Sequence, residues 1–437
     1  MAEGAGGRAA ELSMEPIDGK RLVELAALAL CVASSAAAQG SARSQVCDFA
    51  HAAPRDVGVD AAAVDSLVAA AKGAHSDALV IVKDGRVIRE WYADSGRAPM
   101  DLYSGTKSIV GMLIVRLIEQ GRIKSLDQPV AVFYPEWRQG QKRLITIRQL
   151  LNHTSGLQNV AWAGTEVDVA PDVVRLALAA ELSSAPGTAA SYNNKAIALL
   201  SGVIERAAGM PMDRYAMREL FAPLCIARPH WLRDDAGRPY GHTGLWLDAL
   251  SSAKIGEVML DTGTWHGRAV LSRGWVDSLV AQSSVFSART GLLWWRLPQW
   301  TAYRLDSALL AGWLQDSAGR AFAAKLRPMM GRSFSEPEFN AALDDIFGAG
   351  RGRSAWDQQV IAHGLGGRRA VSGPLVAAYA DGYLGQYIVV IPATHIVAAR
   401  KVRPRDSHTS GDDWLEFPDV VVHLLGPPAA GTTPKPH

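Results

Sequence analysis

The sequence is poor in cysteine, because its 437 residues contain three, Cys31, Cys47 and Cys225. So few cysteines exclude a disulfide framework of the kind that small secreted domains use in place of a large core. An excess of charge of one sign is also lacking, since 45 basic and 43 acidic residues leave a formal net charge of +2. This balance gives no support for binding to nucleic acid or to a strongly acidic surface.

Two site patterns are missing as well. His363 and His395 lack the spacing to cysteine or acidic residues that metal sites use, so no metal is predicted. The Gly-x-Ser-x-Gly turn does not occur, which argues against an α/β-hydrolase. With 48% hydrophobic and 20% charged residues, the composition is that of an ordinary globular protein long enough to bury a large core.

The first 38 residues have the pattern of a leader. Lys20 and Arg21 precede a short apolar run over 22–33, and small residues with an Ala-x-Ala pattern follow over 34–38. This order is typical of a secretory signal peptide, and the run is too short to span a bilayer. We therefore expect a signal peptide and leader over 1–38 and a periplasmic or secreted mature chain without a membrane span. An ordinary N-terminal helix is the alternative.

Removal of this leader would leave Cys47 and Cys225. In an oxidising compartment the two could form a disulfide, but two unpaired structural cysteines are equally compatible with the sequence. Met14 is an alternative start to Met1.

Strand-like runs lie near both ends of the chain. Ala78–Val82 and Arg86–Tyr92 flank an Asp-Gly pair, which favours a hairpin because these residues tolerate positive φ. Tyr387–Ile391 and His395–Arg400 form a second pair, followed by a helical pattern over Asp412–Leu425. The predicted fold class is therefore α+β, with an antiparallel sheet built from both chain ends, flanking helices and a helical domain.

Between these strands, apolar residues recur with a helical period. The predicted helices cover Lys107–Gln120, Ile147–Leu151 with Thr146 as cap, Pro171–Leu182, Asn194–Ala208, Met212–Leu220 and Asp248–Leu260. An irregular helical stretch over about 298–361 is interpreted as an insertion, either a lid near the site or a peripheral decoration. We expect one domain over 39–425 that includes this insertion, and a disordered tail over 426–437.

A Ser-x-x-Lys motif opens one of these helices, at Ser104 and Lys107. The spacing is nearly one helical turn, so the two side chains share a face. A serine hydroxyl is a weak nucleophile until a base takes its proton, and burial can lower the pKa of a lysine enough for that task. A second copy, at Ser251 and Lys254, is interpreted as a helix cap followed by a solvated lysine.

Three further segments follow the first motif in a fixed order. They are Leu150 to Leu157 (Leu-Leu-Asn-His-Thr-Ser-Gly-Leu), Ser191 to Asn194 (Ser-Tyr-Asn-Asn) and Gly382 to Pro392, which begins Gly-Tyr-Leu-Gly-Gln. With Ser104 and Lys107, they resemble the β-lactamase-like serine hydrolases. This family includes class C β-lactamases, D-alanyl-D-alanine peptidases, family esterases and 6-aminohexanoate-dimer hydrolases. The resemblance covers about 55–425, apart from the insertion.

The resemblance implies roles for six residues. Ser104 is expected to be the acylated nucleophile, Lys107 the base or the group that keeps Tyr192 ionisable, and Tyr192 the proton shuttle to the leaving group. Asn194 is expected to contact substrate. The strand end at Gly382 and Tyr383 is expected to supply the second oxyanion N–H, from Tyr383, beside that of Ser104.

The chain departs from the family pattern before this strand end. Where β-lactamases and D-alanyl-D-alanine peptidases have Lys-Thr-Gly, this chain has Ala380-Asp381-Gly382, which removes the groups that would hold a substrate carboxylate. A superficially similar His242-Thr243-Gly244 is interpreted as a different, structural part of the family. His153 is interpreted as a structural loop residue, and the pair Trp294-Trp295 as core residues or as the lining of an apolar cleft.

These observations predict a serine hydrolase that cleaves a small-molecule ester, amide or peptide without a cofactor. A carboxylesterase or amide hydrolase is the first expectation, and a D-alanyl-D-alanine peptidase or β-lactamase is the alternative. An alternative of another class is a catalytically silent cell-envelope binding protein.

Overall fold

The computed structural model describes residues 47–94, 97–160, 163–311, 313–315, 317–363 and 368–427. The leader over 1–38 and the tail beyond 427 lie outside these residues, so their predicted character stays a prediction. Among the described residues, no helix combines the length and hydropathy that crossing a membrane requires.

A seven-stranded sheet forms the centre of the described part, in the order β1-β3-β2-β14-β13-β12-β9. All neighbours are antiparallel except the two-residue edge strand β1, which pairs with β3 in parallel. The strands of this sheet are β1 (Ala50–His51), β2 (Ala78–Lys83), β3 (Arg86–Tyr92), β9 (Trp295–Pro298), β12 (Leu375–Gly382), β13 (Gln386–Ile391) and β14 (Ile396–Lys401). Smaller sheets contain β4 (Met100–Asp101), β5 (His230–Trp231), β6 (Leu245–Leu247), β7 (Thr264–Trp265), β8 (Arg268–Ala269), β10 (Thr301–Leu305) and β11 (Arg368–Ser372).

The two ends of the chain meet where β2 pairs with β14. The β2–β3 hairpin turns through Asp84 and Gly85, both at positive φ, as the Asp-Gly signal predicted. Alternate residues of β2 face opposite sides, with Val80 and Val82 in one hydrophobic core and Leu79 in the other. The predicted α+β class with a sheet from both chain ends is confirmed.

Helices cover both faces of the sheet. The described α-helices are α1 (Ala61–Gly73), α2 (Thr106–Glu119), α3 (Ile147–Leu151), α4 (Val173–Ala179), α5 (Asn194–Ala208), α6 (Met212–Ala216), α7 (Ala249–Leu260), α8 (Arg273–Val280), α9 (Ser307–Leu310), α10 (Ser317–Lys325), α11 (Glu336–Phe347), α12 (Gly352–His363) and α13 (Phe417–Leu425). α1 and α13 pack on one face, and α7 packs on the other, where a Cβ at Gly256 would lie 2.4 Å from Val397. A glycine there lets the helix approach the sheet closely.

Shorter helical turns connect these elements. The 3₁₀ turns cover Pro54–Val57, Tyr103–Gly105, Val130–Val132, Pro135–Trp137, Gln141–Leu144, Ala163–Thr165, Trp313–Gln315, Arg327–Met329 and Pro392–Thr394, and a π-helical turn covers Met217–Phe221.

Local signals predicted several helix ends correctly. α5 covers the predicted Asn194–Ala208, and Thr146 caps α3 within a capping box. Other boundaries were wrong, among them both ends of the helix predicted over Pro171–Leu182, which covers Val173–Ala179. The last helix begins at Phe417 instead of Asp412, because Trp414 takes a positive φ and Pro418 favours the first helical turn. His395 is a left-handed turn residue that precedes β14.

The helical stretch between β10 and β11 has a hydrophobic core of its own. α9 to α12 lie between these two paired strands, and Trp313, Phe339 and Trp356 are at the centre of this core. These helices therefore bury their apolar faces mainly against one another.

Cys47 and Cys225 are each disulfide-bonded in the structure. The alternative of two unpaired cysteines is therefore wrong.

Candidate active site

Ser104 lies in a single 3₁₀ turn that leads directly into α2. The preceding Tyr103 has a φ of 45°, and its backbone N–H donates a 2.8 Å hydrogen bond to the carboxylate of Asp101. A positive φ is costly for a residue with a side chain, and this contact helps to hold the turn. The turn projects the Ser104 hydroxyl at the start of the helix.

Lys107 is buried one turn after Ser104. Its Nζ donates 2.8 Å hydrogen bonds to Ser104 Oγ and to the backbone carbonyl of His242. Only 3% of Lys107 is exposed. The helical spacing predicted the first contact, whereas the second comes from a segment 135 residues away.

The Tyr192 hydroxyl forms a 2.8 Å hydrogen bond with Ser104 Oγ. The Lys107 Nζ lies 4.9 Å from the centre of the Tyr192 ring. Asn193, the next residue, caps α5 by accepting a hydrogen bond from the Ala196 N–H, so the start of this helix positions the tyrosine.

His153 lies against the ring of Tyr192, with 4.7 Å between the ring centres. Burial, together with the charge of Lys107, lowers the pKa of His153 to about 3. Its Nδ1 is 3.2 Å from the backbone N–H of Asn193, which donates to it. His153 is thus a neutral ring that supports Tyr192 on one side, while Trp295 stacks with Tyr192 at 6.2 Å.

The end of β12 packs against the turn that carries Ser104. A Cβ at Gly382 would lie 1.9 Å from the carbonyl oxygen of Leu102, so this position accepts no larger residue without a shift. Tyr383 follows, and its ring lies edge-on to that of Tyr103 at 5.6 Å. The structure therefore brings Gly382 and Tyr383 to the same site as Ser104.

A cavity of about 620 Å³ opens beside these residues, and we refer to it as the Ser104 cavity. It is lined by Tyr103, Ser104, Gly164, Asp168, Tyr192, Asn194, His242, Thr243, Trp295, Asp381, Gly382, Tyr383, Leu384, Gly385, Tyr387, Asp413 and Leu415. Asn194 is 8% exposed, and its side-chain oxygen Oδ1 is buried without a hydrogen-bond partner. None of the helices α9 to α12 contributes a residue to this lining among the described residues.

Two further residues line the cavity: Asp168, which the sequence did not indicate, and His242, which was interpreted as structural. His242 Nε2 lies 2.7 Å from Asp168 Oδ1, and burial lowers the pKa of His242. His242-Thr243-Gly244 is not in the strand that ends at Gly382, as expected, but His242 and Thr243 line the cavity and the His242 carbonyl holds Lys107. A backbone carbonyl contact of this kind leaves no signal in the sequence.

Asp381 also lines the cavity, and in the register of β12 and β13 it lies opposite Tyr387, which lines the cavity as well. Of the tryptophan pair, Trp295 lines the cavity and Trp294 is a core residue that is 1% exposed.

The second Ser-x-x-Lys copy, at Ser251 and Lys254, lies in the first turns of α7. Asp248 caps α7 and accepts hydrogen bonds from both the N–H and the hydroxyl of Ser251. The expectation that Lys254 is solvated was wrong, because Lys254 is 4% exposed and lies 5.6 Å from the ring centre of Trp265. Its alkyl chain is covered by the packing of α7, which the local sequence does not show.

Among the described residues, no group of three or more histidine, cysteine, aspartate or glutamate side chains is arranged to hold a metal ion.

Comparisons with known proteins agree with this architecture. The Beta-lactamase family model matches residues 62–411. Esterase EstB of Burkholderia gladioli is 36% identical over 131 residues, which are 25% of this chain and 33% of the esterase. The 6-aminohexanoate-dimer hydrolase of Paenarthrobacter ureafaciens is 25% identical over 230 residues, which are 48% of this chain and 58% of the hydrolase. Each match therefore spans less than two thirds of the relative.

The fold is also found among solved structures. The octameric penicillin-binding protein homologue from Pyrococcus abyssi superposes with a TM-score of 0.53 at 17% identity, covering 84% of this chain and 78% of the homologue. At this identity the likeness concerns the fold alone.

Proposed function

The chain belongs to the Beta-lactamase family, and from this premise we propose that it is a serine hydrolase that cleaves ester or amide bonds through an acyl-enzyme on Ser104. The observation that carries the proposal is the convergence of the Lys107 Nζ and the Tyr192 hydroxyl on Ser104 Oγ, both at 2.8 Å. These distances are within reach of direct proton transfer. The first expectation from the sequence, an esterase or amide hydrolase, is thus the proposed function.

In the first half-reaction, Ser104 Oγ attacks the substrate carbonyl carbon while its proton passes to the Tyr192–Lys107 pair. Both the Tyr192 hydroxyl and the Lys107 Nζ lie within hydrogen-bonding distance of Ser104 Oγ, so the pair is placed to take up the proton that leaves the serine. The negative charge that develops on the carbonyl oxygen would be held by the backbone N–H groups of Ser104 and Tyr383.

The tetrahedral intermediate then collapses. The bond to the leaving group breaks, Tyr192 returns the proton to the departing oxygen or nitrogen, and an acyl group remains on Ser104. In the second half-reaction, a water molecule gives a proton to the same pair, attacks the acyl carbon and releases the acid. Ser104 then regains its proton from the Tyr192–Lys107 pair. The proposed cycle uses only groups of the chain and one water molecule.

The charges of the residues that line the Ser104 cavity favour neutral or cationic substrates over anionic ones. Asp381 stands where the β-lactamase and peptidase pattern has a threonine, and no lysine or arginine is among the described residues that line the cavity. A carboxylate on the substrate would therefore lack a cationic partner. This favours an ester or amide hydrolase over the alternative of a β-lactamase or D-alanyl-D-alanine peptidase.

A substrate panel tests the proposal directly. Short 4-nitrophenyl esters, a 6-aminohexanoate dimer, nitrocefin and D-Ala-D-Ala peptides should be offered to the purified protein, and we expect the esters or the amide dimer to be cleaved fastest. Labelling by a fluorophosphonate, followed by peptide mapping, should identify Ser104 as the modified residue. A protein that cleaves nothing and takes no label would instead be the silent binding protein.

We also propose that the protein is exported to the periplasm or secreted. Disulfide bonding of Cys47 and Cys225 supports this, because disulfides persist mainly in oxidising compartments. Cell fractionation of the expressed full chain tests it, and a protein confined to the cytoplasmic fraction would contradict it.

A further inference from the structure

Three aspartates line the Ser104 cavity, but they differ in their partners. Asp168 and Asp413 each contact a histidine ring nitrogen at 2.7 Å, from His242 and His408. No described group donates a hydrogen bond to the carboxylate of Asp381. Among these three, Asp381 is therefore the one whose carboxylate has no hydrogen-bond donor among the described residues.

Asp381 lines the same cavity as Ser104. It precedes Gly382 at the end of β12, and its backbone oxygen would be 3.9 Å from a Cβ at Gly105, the residue after Ser104. The nearest cation is Lys107, whose Nζ already contacts Ser104 Oγ and the His242 carbonyl. Because Asp381 and Ser104 line one cavity, a substrate that Ser104 attacks could also place a group against Asp381.

Burial raises the pKa of the Asp381 carboxyl to about 6, and the charge of Asp413 acts in the same direction. The carboxylate is still the main form near neutral pH, where it is half-buried and has only the electrostatic influence of Lys107 to compensate it. A buried charge without a hydrogen-bonded partner is costly, so a cation from outside would be stabilised there.

A second residue that lines the cavity, Asn194, carries an unsatisfied acceptor. Asn194 is more than nine-tenths buried, and its Oδ1 has no hydrogen-bond partner. Two acceptors without donors call for a ligand that carries N–H groups and positive charge. The exposed side chains of Tyr192, Tyr383 and Leu415 add an apolar and aromatic wall, and aromatic faces also attract cations.

We propose that the Ser104 cavity takes esters or amides that carry an ammonium group, and that Asp381 is the residue that binds this group. The inference rests on the proposed function and narrows its substrate class. The same carboxylate repels anionic substrates. One residue would therefore both bind an ammonium group and disfavour a carboxylate on the substrate.

Matched substrate pairs that differ only in charge test the proposal. On the acyl side, the 4-nitrophenyl ester of 6-aminohexanoate is compared with that of heptanoate, in which a methyl group replaces the ammonium group. On the alcohol side, 4-aminobutyl butanoate is compared with pentyl butanoate. The ratio of kcat/KM for cation over neutral partner is measured at a pH of about 7.5, where the amine is protonated, and the enzyme-free rate is subtracted.

We expect the ratio of kcat/KM to exceed one for at least one pair in the wild-type protein. In Asp381→Asn this ratio should fall by about ten- to a hundredfold, which corresponds to the free energy of one hydrogen bond to a charged group. Asp381→Ser is a second neutral variant in case the first does not fold. Asp277→Asn removes an exposed carboxylate of α8 that does not line the cavity, and it should keep the wild-type ratio.

The outcomes separate this inference from the proposed function. In one outcome, both substrates of each pair are cleaved while the ratio of kcat/KM is the same in the wild type and in the Asp381 variants. That result refutes the ammonium site and leaves the proposed serine hydrolase intact. If Ser104 takes the fluorophosphonate label but no cationic ester is cleaved, the ammonium site is refuted as well. If Ser104 takes no label and nothing is cleaved, both proposals fail.

Discussion

The hydroxyl of Tyr192 lies 2.8 Å from Oγ of Ser104, although 88 residues separate them in the chain. The tyrosine is held in this position from several sides. Asn193 caps the following helix, and the rings of His153 and Trp295 pack against the phenol ring. The proton acceptor of the proposed reaction is therefore pre-positioned, which is what proton transfer in an active site requires.

Ser104→Ala should abolish turnover and leave the fold intact. Loss of the attacking hydroxyl removes the only atom that can form the acyl-enzyme, so the rate of ester hydrolysis should fall by several orders of magnitude. Ser251→Ala is the matched control, because it removes a hydroxyl that contacts Asp248 at a helix start. It should cost about 0.5–2 kcal/mol of stability at most. Wild-type turnover by Ser104→Ala would remove this residue from the mechanism.

Tyr192→Phe should keep substrate binding and lose most of kcat. The substitution removes one oxygen and preserves the ring contacts with His153 and Trp295. General acid–base catalysis by one group contributes about 10²–10⁴-fold, and a loss of that size is expected in steady-state kinetics. A defect confined to KM would mean that Tyr192 is a binding contact.

Gly382→Ala should impair both stability and activity. An added Cβ would lie 1.9 Å from the Leu102 carbonyl oxygen, so the end of β12 must move away from the Ser104 turn. Overpacking of this kind costs about 1–3 kcal/mol, measurable by denaturant unfolding. Gly73→Ala is the control, since no atom lies within 4 Å of the added Cβ at the end of α1. Equal effects of the two variants would contradict the close packing.

Neutral short-chain esters should be cleaved faster than nitrocefin, which is an anion. Because Asp381 lines the cavity, Asp381→Lys replaces a charge that repels nitrocefin with one that attracts it. The difference in kcat/KM between neutral esters and nitrocefin should therefore become smaller. A charge-assisted hydrogen bond is worth roughly 1.5–3 kcal/mol, or about ten- to a hundredfold in kcat/KM. Efficient nitrocefin hydrolysis by the wild-type protein, above its rate on every neutral ester, would favour the β-lactamase alternative.

His153 should make the protein less stable in acid. Its pKa is lowered from 6.5 to about 3 in the folded protein, so between these values the unfolded chain binds a proton that the folded protein excludes. The free energy of unfolding attributable to this residue therefore falls as the pH falls below about 6.5, by up to about 1.4 kcal/mol per pH unit.

Unfolding of the wild type and of His153→Gln in urea, at several pH values from about 7 to 4, isolates this contribution. The advantage of the wild type over the variant should shrink as the pH falls. A difference that is constant with pH would mean that His153 is protonated in both states or in neither.

Local sequence patterns determined those features that depend on neighbours in the chain. Ser104 and Lys107 share a helix face because nearly one turn separates them. The hairpin after β2 follows from the positive φ that Asp84 and Gly85 accept, and Asn194–Ala208 is bounded by a cap and a glycine. The order of the motifs supplied the resemblance that pointed to Tyr192, which spacing alone would not have found.

Tertiary structure decided which distant groups meet. The carbonyl of His242 contacts Lys107, Asp381 lines the Ser104 cavity, and Lys254 is buried beside Trp265. None of these contacts was evident from the sequence. The reason is physical. A backbone carbonyl is present at every residue, and a side chain acquires its environment from the elements packed around it. Only the assembled sheet and helices determine which acceptors surround Ser104 and which carboxylate is left without a partner.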